Sequence, residues 1–110
     1  MKLRIYTLLL LISIHSFADN MEEIFLGTVD RSTLIGKRVT VTGRMEAKGC
    51  DLGKPPCKII IKRKIKGALV FMTLTFNEKY AYLVEKKWIA SPIVASCVYH
   101  SPFLYSDCKN

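Results

Sequence analysis

Hydrophobic and polar positions alternate along much of this chain, and the places where the period changes mark the ends of elements. From Lys37 to Glu46 the period is two. Val39, Val41 and Met45 fall on one side, and Arg38, Thr40, Thr42, Arg44 and Glu46 on the other, which predicts a half-buried strand. Gly43 inside that run predicts a bend or bulge. Cys57 to Lys66 repeats the pattern, with Ile59, Ile61 and Ile65 on one face and Lys58, Ile60, Lys62, Lys64 and Lys66 on the other. A Lys66-Gly67 turn leads into a third strand, Ala68 to Phe76, apolar on both faces. The period then shifts. Asn77 suits a helix N-cap, and Glu78 to Trp88 has helical spacing, with Tyr80, Leu83, Val84 and Trp88 expected on one face. Ser91-Pro92 stops the helix, and Ile93 to Tyr99 with Phe103 to Cys108 predicts a closing hairpin around Ser101-Pro102. Ahead of the first strand, Asp19 to Gly36 is a lead-in that holds an apolar run, Ile24-Phe25-Leu26. It also holds a short helical turn from Asp30 to Ile35, capped by Asp30.

The order is therefore three strands, a helix and two strands. Within about 90 residues this predicts a mainly β fold: a five-stranded Greek-key OB-fold barrel with a helix between strands three and four. A small sandwich or an open α+β sheet gives similar signals. Closure into a barrel removes exposed strand edges and so favours the OB-fold.

The 110 residues leave room for one domain. Its start is set by the first 18. Lys2 and Arg4 precede a short apolar stretch from Ile5 to Ile14, and Ser16-Phe17-Ala18 is a small-x-small site. That is the layout of a signal peptide, residues 1–18, cleaved before Asp19. The apolar stretch is shorter than the roughly 20 residues a membrane span needs, and no later stretch is long enough. The expectation is an exported chain, periplasmic or secreted, with one domain at 19–110 and no transmembrane anchor in its mature form.

All four cysteines, Cys50, Cys57, Cys97 and Cys108, lie in the exported part. An even count in a small exported domain reads as two disulfides, with three connectivities open. Local geometry favours Cys50–Cys57, around the loop residues Asp51-Leu52-Gly53-Lys54-Pro55-Pro56, and Cys97–Cys108 across the hairpin, with Tyr99 opposite Ser106. The spacings of seven and eleven do not match the tight pairs of a four-cysteine zinc site, so no metal is expected.

Two stretches resemble a known family. Ile35-Gly36-Lys37-Arg38-Val39-Thr40-Val41-Thr42-Gly43 is similar to the opening strand of the small bacterial OB-fold proteins called tRNA_anti-like. Ser96-Cys97-Val98-Tyr99 followed by Phe103-Leu104-Tyr105-Ser106-Asp107-Cys108 resembles that family's closing hairpin, where a cysteine of strand four meets an Asp-Cys near the terminus. The resemblance spans roughly Ile35 to Cys108 and implies the fold. The family's name reflects a likeness to anticodon-binding domains.

Charge supplies the functional lead. The chain has 17 basic and nine acidic residues, a net +8; without Lys2 and Arg4 the exported part keeps +6. Lys58, Lys62, Lys64 and Lys66 share a face of strand two, and pairing with strand one is expected to bring Arg38 and Arg44 alongside. In nucleic-acid-binding OB-folds the face of strands two and three carries the ligand, on a cationic track with aromatic stacking platforms. Phe71, on strand three, is the candidate platform. The alternative is that these lysines only solubilise the face and protect a strand from edge pairing.

Catalysis finds no foothold in the sequence. His15 leaves with the leader, His100 sits beside a turn, the acids are scattered, and no nucleophile elbow, P-loop, dinucleotide or zinc-protease motif occurs. The expected function is a non-catalytic binding module without cofactor. Its ligand is expected to be anionic: nucleic acid, glycan or envelope phosphate. Two rivals are an oligomeric oligosaccharide-binding barrel and an inhibitor or accessory protein that docks on a partner through the Cys50–Cys57 loop.

Overall fold

A computed structural model describes residues 20–51 and 54–110. The leader, its cleavage site and the Leu52-Gly53 tip of the cysteine loop lie outside the described residues. The elements in chain order are α1 (Met21–Leu26), a 3₁₀ turn (Arg31–Thr33), β1 (Arg38–Asp51), β2 (Lys54–Ile65), β3 (Ala68–Phe76), α2 (Glu78–Glu85), β4 (Pro92–Ser101) and β5 (Leu104–Lys109). The strands close into a barrel in the order β1-β2-β3-β5-β4, antiparallel throughout except for the parallel β3–β5 pair. With α2 between β3 and β4, the arrangement is consistent with the OB-fold expected from the element order.

The inward positions of the strands are apolar except at the barrel's margin, where Arg63 falls in phase with Ile61 and Ile65. Val39, Val41, Met45, Ile59, Ile61, Met72, Leu74, Phe76, Ile93, Tyr99 and Tyr105 are buried, and no polar or charged residue is fully buried among the described residues. Tyr99 and Tyr105 meet edge to face at 5.8 Å. The Tyr105 hydroxyl donates to Pro102 O at 2.9 Å, and burial, reinforced by nearby Tyr99, holds its pKa above the ordinary phenol value. Gly43 lies where β1 passes from β4 to β2: Arg38–Arg44 pair with Val98–Pro92, whereas Arg44–Asp51 pair with Lys62–Lys54. A Cβ on Gly43 would stand 2.8 Å from Lys62 O, so only glycine allows the strands this close.

Both expected disulfides are present, Cys50–Cys57 between β1 and β2 and Cys97–Cys108 between β4 and β5. Such bonds persist in an oxidising, extracytoplasmic compartment. None of the described helices is long and apolar enough to cross a membrane.

Four details differ from the sequence reading. The closing hairpin sets Tyr99 opposite Tyr105, not Ser106, and Val98 opposite Ser106. Parity explains this: Tyr105 and Cys108 are three apart and both buried, so an irregularity must intervene, and Asp107 takes it up at φ +45°. The helix ends at Glu85 rather than Trp88, because the Lys48 ammonium of β1 takes the carbonyls of Glu85 (2.5 Å) and Lys87 (2.9 Å) as a C-cap. Its buried face is Ala81 and Val84, with Tyr80 half-buried and Leu83 and Trp88 exposed. Finally, the run Ile24-Phe25-Leu26 belongs to a helix, α1, whose Met21 and Ile24 complete the core. Arg31 Nε donates to Ile24 O at 2.7 Å, and Asn20 Oδ1 accepts from Thr40 N at 2.9 Å, tying that helix to the next turn and to β1. Asp30 caps the 3₁₀ turn as expected; its carboxyl, held by the Ser32 hydroxyl and then the Ser32 N–H, titrates below the usual range.

Candidate anion-binding face

The outer face of β1-β2-β3 gathers most of the expected residues. Register places Arg44 opposite Lys62 and Lys62 opposite Phe71, so cation, cation and ring form one row across three strands. The neighbouring rows are Ala47–Ile60–Thr73 and Gly49–Lys58–Thr75, with Lys64 opposite Leu69 on the far side. Residues directly opposite hold their Cβ atoms about 5 Å apart, close enough for a lysine stem and a ring to form one surface. Phe71 is 46% exposed, so its ring is open to a ligand. Lys62 Nζ is 2.9 Å from the Glu46 carboxylate, which neutralises part of its charge. Lys58 and Lys64 are exposed on the same face.

Beside this row lies a groove of about 680 Å³, where β1 crosses from one partner to the other. Arg44, Lys62, Arg63 and Lys64 line it together with Leu69, Pro92 and Val94. Arg63 spans it, its guanidinium donating to the Thr42 hydroxyl, and Arg44 Nη1 donates to Ala90 O at 3.1 Å. Gly43 is part of the lining.

Two expected members stand apart. Arg38 does not lie alongside β2: it pairs with Val98 of β4, forms an ion pair with Asp107 and donates to Ser96 O at 2.9 Å. β1 changes partner at Arg44, so its first half never reaches β2. Lys66 sits in the β2–β3 turn at φ +50°, followed by Gly67 at φ +83°, the two left-handed residues of a type I′ hairpin. It is outside the ladder that orders the other lysines.

Arg63 and the apolar residues Leu69, Pro92 and Val94 were missed. Alternation puts Arg63 with Ile61 and Ile65 on the inward side, and a charge at an inward position at the barrel's margin needs a polar exit; that was the available signal. Pro92 and Val94 join the groove only because β4 pairs with β1, which no local pattern encodes. His100 Nε2 lies 2.5 Å from Ser106 Oγ on the exposed outer side of the β4–β5 hairpin, away from this face. Among the described residues no group of three or more His, Cys, Asp or Glu side chains converges as metal ligands. In comparisons with known proteins, no family model matches the chain, nor does any curated protein or solved structure.

Proposed function

We propose that this protein is an exported, non-catalytic OB-fold binding module that holds an anionic ligand on the outer β1-β2-β3 face. The observation that carries the reading is the Arg44–Lys62–Phe71 row, flanked by Lys58, Lys64 and the groove at Arg63. Three features support it. Cations on a strand ladder keep fixed spacing, whereas solubilising lysines need none. An exposed aromatic ring among them adds a stacking surface worth about 1–3 kcal/mol per base in single-stranded nucleic-acid sites. The groove is mixed, its charges next to aliphatic side chains, which suits a ligand with anionic groups on a less polar frame: a nucleic acid strand, an anionic glycan or an envelope phosphate. The leader expected at residues 1–18 and the two disulfides favour a periplasmic or secreted location, and the likeness to the tRNA_anti-like family fits the same architecture.

Retention on heparin and on single-stranded DNA at low salt tests the reading. Lys64→Gln should weaken retention more than Lys62→Gln, because Glu46 already offsets Lys62, and Glu46→Gln should strengthen it. Lys62→Glu with Lys64→Glu should abolish it. Retention that ignores these changes, or that does not fall with added salt, would leave solubility as the only role of the face.

A further inference from the structure

Trp88 is the chain's sole tryptophan, and it is 84% exposed on a turn that is otherwise firmly held. Ile89 beside it is 53% exposed. The turn joins α2 to β4, and most of its backbone polar groups are already paired within the protein. Lys48 takes the carbonyls of Glu85 and Lys87, and Arg44 takes that of Ala90. Lys87 N donates to Val84 O, Ala90 N to Met45 O at 2.7 Å and Ser91 N to Trp88 O at 3.0 Å. The side chains at the tip are thus presented by a backbone pinned on both sides of it.

The surroundings are cationic. Lys86 and Lys87 directly precede Trp88, and Lys48 and Arg44 reach the same turn from β1. Glu78 and Lys79 are both at the far end of the helix, about 10 Å along the axis, and Glu85, the acid at the near end, is half-buried with its carbonyl held by Lys48. An apolar point with a lysine collar fits a surface that is soft, wet at its edge and negatively charged. Tryptophan prefers the headgroup level of a bilayer, and lysine stems reach from there to phosphates. A convex tip needs a matching pocket in a protein partner, whereas lipid yields around it. The pairing on either side of the tip lowers the cost of bringing this turn to that layer.

We infer that the α2–β4 turn, with Trp88 and Ile89 at its tip and Lys86 and Lys87 beside it, docks the protein on anionic phospholipid bilayers. Arg44 joins this turn at Ala90 O and the β2 row at Lys62, so the two surfaces adjoin, but the inference stands without the ligand reading above.

Trp88 is its own reporter. The chain beginning at Asp19, which carries the whole described barrel, is mixed with vesicles of phosphatidylglycerol or of phosphatidylcholine, and tryptophan emission is followed. The expected result is a blue shift on phosphatidylglycerol that salt reverses, with quenching by brominated acyl chains and little response to phosphatidylcholine. Replacing Lys86 and Lys87 with glutamine should weaken partitioning about 30-fold, at the usual contribution per basic residue near an anionic surface. Ile89→Asp should weaken it about tenfold. Both variants should melt as the parent does, since neither side chain enters the core. Emission unmoved by phosphatidylglycerol, or moved equally by both lipids, would overturn the inference. So would a blue shift that grows with protein concentration in the absence of lipid, which would assign the tip to a second copy of this chain. Lys62→Glu with Lys64→Glu should abolish heparin retention while leaving the blue shift on phosphatidylglycerol in place, whereas Ile89→Asp should weaken the vesicle response and spare heparin retention. A vesicle response abolished by the β2 pair and untouched by Ile89→Asp would overturn the inference.

Discussion

Single residues decide how the barrel closes. Gly43 has no side chain because Lys62 O occupies the space a Cβ would need, at 2.8 Å, and the obstacle is backbone that cannot rotate away. Gly43→Ala should therefore cost about 1–3 kcal/mol, as overpacking does, and a denaturant titration measures it. An unchanged midpoint would mean that β1 and β2 can separate there freely. The same substitution should also disturb the groove, since Gly43 forms part of its lining. Arg38 shows the opposite lesson. Its charge reads as one of a basic set, but its ion pair with Asp107 and its bonds to the β4 and β5 backbone make it a fastener between strands.

At the scale of elements, alternation located all five strands, and their inward faces were legible from Val39, Val41, Ile59, Ile61 and their neighbours. Boundaries were less so. β1 runs on past Glu46 to Asp51 because a register shift between Met45 and Ala47 breaks the alternation that would have extended it. The β2–β3 turn is where a prediction belongs. Lys66 pays the steric cost of a left-handed residue that an asparagine tolerates better. Lys66→Asn should raise stability by about 0.5–1 kcal/mol, and it should reduce heparin retention less than Lys64→Gln does, because Lys66 lies off the ladder. A loss of retention equal to that of Lys64→Gln would return Lys66 to the binding face. α2 ended early for a reason no helix pattern contains: its last carbonyls are claimed by Lys48, a residue 37 positions away from Glu85.

At the scale of the molecule, a small barrel gains from cross-links that limit its unfolded chain. Each disulfide closes a short loop and should contribute about 2–3 kcal/mol. Reduction should lower the thermal midpoint markedly; a midpoint unchanged by reductant would mean that the core alone suffices. The buried Cys97–Cys108 bridge should resist reductant longer than Cys50–Cys57, where Cys50 is half-exposed, and alkylation followed by mass analysis reads the order. The strand order β1-β2-β3-β5-β4 also determines which charges can act together. It unites Arg44, Lys62, Arg63 and Lys64 with Pro92 and Val94, and it sends Arg38 elsewhere.

The sequence by itself determined the period and inward residues of β1 and β2, the place of all five strands and the helix between strands three and four, and it favoured the two cysteine pairs. All of these are local: alternation, caps and turn residues act over a few positions. Only the tertiary structure decided which half of β1 meets which partner, that the first helix belongs to the core, and that Trp88 is presented rather than buried. Those outcomes depend on barrel closure, register shifts and a distant lysine cap, which couple residues far apart in the chain and leave no periodic trace in it.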